Sequence, residues 1–158
     1  MTPTETHHPN MAAMLDPQTD GADKQGNPLL QPWTTAHELP PFEALRPEHF
    51  APAFHAGMQA HRQELDAIAR NPTAPTFDNT VKAFDGAGRL VRRIEMTFDN
   101  LAASQTSPAL QAVKLAMAQP LAAHANAVYM HAGLFKRLDV LHQARSTLGL
   151  ACWNGMSR

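Results

Sequence analysis

The chain has 158 residues, a formal net charge of −1 and a pI near 6.7, the size of one domain or of part of a larger one. This balance leaves no basic footprint, so neither nucleic acid nor an anionic membrane is an expected partner. No run of eighteen apolar residues could span a bilayer, and Met1 to Gly26 holds no apolar stretch suited to a signal peptide. Cys152 is the lone cysteine, which excludes an internal disulfide and a cysteine-based zinc cage. A cytoplasmic, reduced setting is expected. Twenty-seven Ala and sixteen Leu stand against seven Val plus Ile. Ala and Leu lose little on entering a helix and β-branched residues favour strands, so the composition predicts an all-α fold.

Residues 1–26 read as a disordered tail, because polar, Pro and Gly residues dominate and Met11, Met14 and Leu15 show no sustained period. His7 and His8 fall in that tail and read as solvated. Asn27 to Arg46 is a Pro-punctuated extended strap, in which Pro28, Pro32, Pro40 and Pro41 forbid a long helix or a central strand. Its Leu29, Leu30, Trp33 and Phe42 need burial, so the strap is expected to lie across helices.

A first helix is predicted from Pro47 to about Asn71. Phe50, Phe54, Met58, His61, Leu65 and Ile68 recur at steps of three and four, and Asn71-Pro72 stops the run. Thr76 or Asp78 can cap a second helix reaching Ser104, with Val81, Phe84, Ile94, Phe98 and Leu101 on its apolar side. Gly86 and Gly88 weaken its middle and mark either close packing or a kink. Ser107 and Pro108 open a third helix carrying Leu110, Val113, Met117, Leu121, His124 and Val128, and Pro120 should kink or split it near Gln119. A last helix, Leu134 to about Leu148, aligns Leu134, Leu138, Leu141 and Leu148.

No catalytic, cofactor-binding or metal-ligating residue is assigned. A helical zinc hydrolase site needs H-E-x-x-H; His37-Glu38 lacks the second histidine, and Pro40 and Pro41 forbid the helix that would aim it. His49, His55 and His61 are six apart, which turns each away from the next. His124 and His131 are seven apart and could share a face. There is no G-x-S-x-G elbow, no phosphate loop and no G-x-G-x-x-G, and Cys152 has no histidine near it. Arg89, Arg92 and Arg93, with Lys82 before them and Asp85, Glu95 and Asp99 within helical reach, read as a solvated, salt-bridged face.

The segment NPLLQPWTTAHELPPFEALRPEHFAPAFHAGMQAHRQELDAIARNPTAPTFDNTVKAFDGAGRL resembles the N-terminal region of the thimet-oligopeptidase family of zinc metallopeptidases, closest to its dipeptidyl carboxypeptidase branch. PPFEALRPEHFAPAF and PTFDNT are its most specific parts, and LAAHANAVYMHAGLFKRLDVLHQARSTLGL is similar to the same family's following helices. The resemblance runs from Asn27 to Leu150. It implies the helical N-terminal lobe of an all-α, two-lobed enzyme that admits short peptides to a deep channel. It also implies that the zinc ligands and the catalytic Glu lie in a C-terminal half, and none of them matches a position here.

Residues 27–150 are therefore expected to be the helical region and residues 151–158 an off-family tail. Back-translating Ala151 to Met156 and shifting by two bases allows LLERH or LLERY, which resembles the family's next helix, so a frameshift is expected. An in-frame continuation directly after Leu150 would refute it. The expected function is that of a truncated N-terminal fragment, inactive alone and without a cofactor of its own. Its alternative is a stand-alone helical interaction module, and a third possibility is complementation by a missing C-terminal catalytic half.

Overall fold

One helix, α1 (Phe50–Ala69), organises the chain, and the other α-helices all pack on it. The computed structural model describes residues 26–34, 39–105 and 107–145. The expectations for the tail before Gly26, for His37, for Leu148 and for residues 151–158 fall outside these. Single 3₁₀ turns at Phe42–Ala44 and Pro47–His49 lead into α1. A π-helical turn (Phe77–Lys82), α2 (Ala83–Gly86), α3 (Arg89–Ser104), α4 (Pro108–Tyr129) and α5 (Ala132–Gln143) follow. The fold is all-α, with no strand among the described residues.

The spacing seen in the sequence decides which face of α1 is inside. Phe50, Phe54, Met58, Leu65 and Ile68 are buried, as the stripe predicts. Pro52 costs the helix nothing, because the amides of the first turn have no intrahelical acceptor. Phe50 and Phe54 meet Phe98 of α3 edge-on, at ring centroid distances of 5.0 and 5.6 Å. Burial of each such ring stabilises the fold by roughly 1.5–3 kcal/mol. Between them, Gly57 brings the two backbones together: a Cβ there would lie 3.1 Å from the Val91 Cα.

The strap behaves as expected in three of its four apolar residues. Leu29 is fully buried in the α1–α3–α4 core, and Leu30 and Trp33 pack against it. Asn27 ties the strap down by donating from Nδ2 to the His49 carbonyl at 2.7 Å, while its Oδ1 accepts from the Leu29 amide. Phe42 departs from expectation and stays exposed, because it sits in the 3₁₀ turn beyond this anchor.

The second predicted helix is two helices. Thr76 is the cap: its Oγ1 accepts from the Asn79 amide, and the Asn79 Oδ1 accepts from the Thr76 amide at 2.8 Å. Instead of bending at the glycines, however, the chain breaks. Ala87 is extended, and Gly88 adopts the left-handed region at φ 72°. The break buries Ala87 against Leu65, Ile68 and Leu134 and sends the Gly88 amide to the Glu64 Oε2 at 2.7 Å. These gains outweigh the hydrogen bonds that a continuous helix would keep.

Ser107 and Pro108 open α4 as expected, the serine Oγ accepting from the Leu110 amide. Pro120 does not split it; α4 runs unbroken for 22 residues. A proline inside a helix costs about 3 kcal/mol, against roughly 1.5–3 kcal/mol for each large apolar side chain buried. Leu110 and Met117 are both buried. The carbonyl deprived of its donor belongs to Ala116, on the exposed side of α4, where solvent reaches it. On α5, Leu134 and Leu141 are buried and Leu138 packs beside them.

The two glycines of the break should respond oppositely to alanine. Gly88→Ala strains the left-handed backbone and drives a Cβ to 2.7 Å from the His61 ring, and should cost about 2 kcal/mol. Gly86→Ala meets nothing within 4 Å and should be neutral or mildly stabilising. Urea denaturation of both variants checks the pair.

Candidate functional site

Chemistry-bearing side chains gather where α1, α4 and the α2–α3 break meet. His61 occupies the apolar stripe of α1 and His124 that of α4, so helix packing alone brings the two rings together. His61 Nδ1 and His124 Nε2 are 3.0 Å apart, and the rings sit edge to face at 5.0 Å. His124 is buried, and its Nδ1 has no hydrogen-bond partner. Burial lowers the His61 imidazole below its usual range; Glu64 opposes this and Arg92 adds to it. Burial, then the neighbouring His61 and Arg62, lower His124 in the same direction. Both rings are therefore held towards the neutral state.

The sequence reading missed this pair. The seven-residue spacing allows His124 and His131 to share a face, but His131 turns to α1 instead. Its Nδ1 accepts from the Leu134 amide at the start of α5, and its Nε2 lies 3.2 Å from the Asp66 Oδ1. The usable signal is that two separate apolar stripes each carry a histidine.

A second polar centre is Arg137 on α5, buried to 7% exposure within the leucine face. Its Nη1 donates to the Asn71 and Thr73 carbonyls at 2.8 and 3.1 Å, its Nη2 to the Asn79 Oδ1 and its Nε to the Thr80 Oγ1. The guanidinium thus pins the loop between α1 and the π-helical turn. Its position was visible in the sequence, three residues after Leu134 and four before Leu141. Asn79 serves the same joint, because its amide also donates to the Thr73 Oγ1 and the Ala74 carbonyl.

The arginine face of α3 is not the salt-bridged surface expected. Arg93 turns inward, stacks at 4.4 Å over the Trp33 ring and donates to the Leu29 carbonyl at 2.8 Å, clamping the strap. Arg89 and Arg92 are exposed; Lys82 pairs with Asp78, and the other ion pairs among the described residues are Asp66–Arg70 and Asp66–His131. Burial, reinforced by Asp99, raises the Glu95 carboxyl; Arg92 opposes it.

A groove of about 230 Å³ lies between Phe42, Phe50, Leu101 and Leu110, with Arg46 at its wall. That is below the size that encloses a typical small ligand, and Arg46 already donates to the Glu43 and Leu45 carbonyls. Among the described residues no group of three or more His, Cys, Asp or Glu could hold a metal ion. Zinc, which the family resemblance implies for the parent enzymes, thus finds no fitting ligand set there. No helix of the described residues is long and apolar enough to cross a membrane.

The most prominent surface feature is apolar. Leu115, Tyr129 and Met130 on or just after α4 are 80%, 83% and 81% exposed, and Phe135 on α5 is 68% exposed. Lys114 is the one Lys, Arg, Asp or Glu among the 22 residues of α4. A helix apolar on both sides is normally packed on both sides.

Over 124 residues the chain is 36% identical to the dipeptidyl carboxypeptidase of Salmonella typhimurium and 38% identical to that of Escherichia coli. The chain is a homologue of the dipeptidyl carboxypeptidases. The match takes in 78% of the chain but only 18% of either relative. A more distant relative is the oligopeptidase A of Escherichia coli, 27% identical over 110 residues, covering 70% of the chain and 16% of that protein. No family profile matches the chain. The dipeptidyl carboxypeptidase branch is thus the one that the sequence resemblance indicated.

Arg137 gives the sharpest test of how this helical unit holds its joint. Arg137→Met removes the donor to the part-buried Asn71 and Thr73 carbonyls and to the buried Thr80 Oγ1, and should cost about 2 kcal/mol in urea denaturation. Arg137→Lys keeps the charge but cannot span four acceptors, and should recover less than half of that loss.

Proposed function

We infer that the chain is one helical piece of a zinc-dependent peptidase of the dipeptidyl carboxypeptidase kind. It corresponds to the N-terminal part of that enzyme's shell and relies on a separate catalytic part for hydrolysis of short peptides. The observation that carries this reading is the 124-residue match to proteins of which it spans 18%. The work assigned to the chain is structural: to fold around α1 and offer α4 and α5 as a wall. Zinc binding and proton transfer to the scissile bond belong to the catalytic part. A cytoplasmic setting goes with this reading.

The bare face supports it. Each large apolar side chain left in water forgoes roughly 1.5–3 kcal/mol of burial, and Leu115, Tyr129, Met130 and Phe135 all lie in water here. In the relatives the remaining polypeptide is available to cover the corresponding surface. Made alone, the chain should bind a hydrophobic dye strongly and tend to aggregate. Substituting Leu115→Glu, Tyr129→Glu and Phe135→Glu together should abolish dye binding and leave the urea midpoint within about 0.5 kcal/mol of the parent. Dye binding unchanged in the triple variant would contradict the assignment.

The functional test is complementation. The chain is mixed or co-expressed with the dipeptidyl carboxypeptidase of Escherichia coli shortened by the matched segment, and release of C-terminal dipeptides is followed with and without chelator. Chelator-sensitive activity in the mixture alone is the expected result. Dipeptide release by the isolated chain, or an active shortened enzyme that ignores the chain, would overturn the reading.

A further inference from the structure

The His61–His124 contact is unusual in what surrounds it. It joins α1 to α4 across 63 residues of sequence, at a place where α4 offers no other hydrogen-bonding side chain to α1 among the bonds described. The charges around it are mostly of the wrong sign to help. On α1 stand Glu64 and Arg62, and on α3 stands Arg92. On α4 the one Lys, Arg, Asp or Glu is Lys114, ten residues before His124, roughly 15 Å along the axis. From α5, His131 reaches α1 five residues beyond His61, but it faces the Asp66 carboxylate and so has a counter-charge of its own. Asp85 of α2 is exposed, and Glu48 and His49 stand at the far, N-terminal end of α1.

The bond itself counts protons. Two neutral imidazoles share one hydrogen, with one ring donating and the other accepting. Adding one proton keeps this arrangement, because the protonated ring donates to the lone pair of its neighbour, and the carboxylate of Glu64 offsets the charge. Adding a second proton places an N–H on both facing nitrogens at 3.0 Å. The bond is then lost and two cations oppose each other beside Arg62 and Arg92.

His61 also has little room to retreat. Its ring lies against the Gly88 turn so closely that a Cβ there would come within 2.7 Å. That turn is itself tied to Glu64 through the Gly88 amide. Strain from the second proton therefore falls on α4, which is held at this level by His124 and by partly buried Leu121 and Val128.

We propose that the His61–His124 pair is a pH-operated latch: α4 stays docked on α1 while the pair carries at most one added proton, and its C-terminal half is released when the second is taken up. The direction follows from linkage. Both rings sit below the usual 6.5 in the folded chain, so the unfolded chain binds more protons as pH falls through that range. The contribution of the latch is complete above about pH 6.5 and is lost progressively below it.

Hydrogen exchange on the full chain tests this, with rates corrected for the intrinsic pH dependence. Between about pH 7.5 and about pH 5 the amides of residues 121–129 should lose at least about tenfold in protection, while α1 and α3 lose less. In His124→Gln, where the amide can bond to His61 but cannot charge, protection of that stretch should depend on pH much less than in the parent, leaving only the contribution of His61. Equal protection of the parent chain at both pH values, or a His124→Gln variant as pH-sensitive as the parent, would overturn the latch. Should the variant fail to fold, NMR titration of the two rings in the parent chain decides. Two coupled steps, the second well below the first, are expected. Two independent titrations near the ordinary histidine value would contradict the proposal.

Discussion

The approach of α3 to α1 is the constraint on which the rest depends. A chain with so few aromatic and β-branched residues has little large apolar volume to bury, so its core must be made by helices lying close. Gly57 makes that possible, since a methyl group there would press on the Val91 backbone. Phe50, Phe54 and Phe98 then interlock, and Leu29 closes the top of the cluster from the strap. Arg93 is carried by the same helix, and its stacking on Trp33 and its bond to the Leu29 carbonyl hold the strap in place. With α1 and α3 in register, α4 settles on their shared core, and α5 packs on the far end of α1 beside Ala87.

The polar joints are the other half of the architecture, and they divide the work. Arg137 and Asn79 secure the loop after α1; Glu64 and Gly88 secure the break between α2 and α3; His61 and His124 secure α4. The first is a guanidinium spread over four backbone and side-chain oxygens. The last is a pair of titratable rings with one carboxylate near. The same helical unit thus has a guanidinium fastening at α5 and a titratable one at α4. α4 is also the helix whose outer face is bare.

Helix existence was legible in the sequence; helix integrity was not. The apolar stripes of α1 and α4 place most of the buried residues correctly, because a period near 3.6 is a property of the element itself. The break at Ala87–Gly88 was invisible to that period. It is decided by partners distant in sequence: Leu65, Ile68 and Leu134 for Ala87, and Glu64 for the Gly88 amide. Pro120 does not split α4, since packing of Met117 and its neighbours holds the helix together. Phe42 shows the limit of hydrophobicity alone, because a strap anchored at Asn27 need not bury everything beyond the anchor. His61, His124, Arg93 and Arg137 all lay on or beside stripes that were correctly drawn. What could not be read was which stripe would face which.

On the function proposed above, α4 and the start of α5 pack against the rest of a peptidase of the dipeptidyl carboxypeptidase kind. Hydroxyl-radical footprinting reads it most directly, since Leu115, Tyr129, Met130 and Phe135 are reactive side chains standing in solvent. The account predicts that all four are labelled in the isolated chain and become protected when the shortened dipeptidyl carboxypeptidase is added. Equal labelling of all four with and without that polypeptide, under conditions where the two are shown to associate, would contradict it.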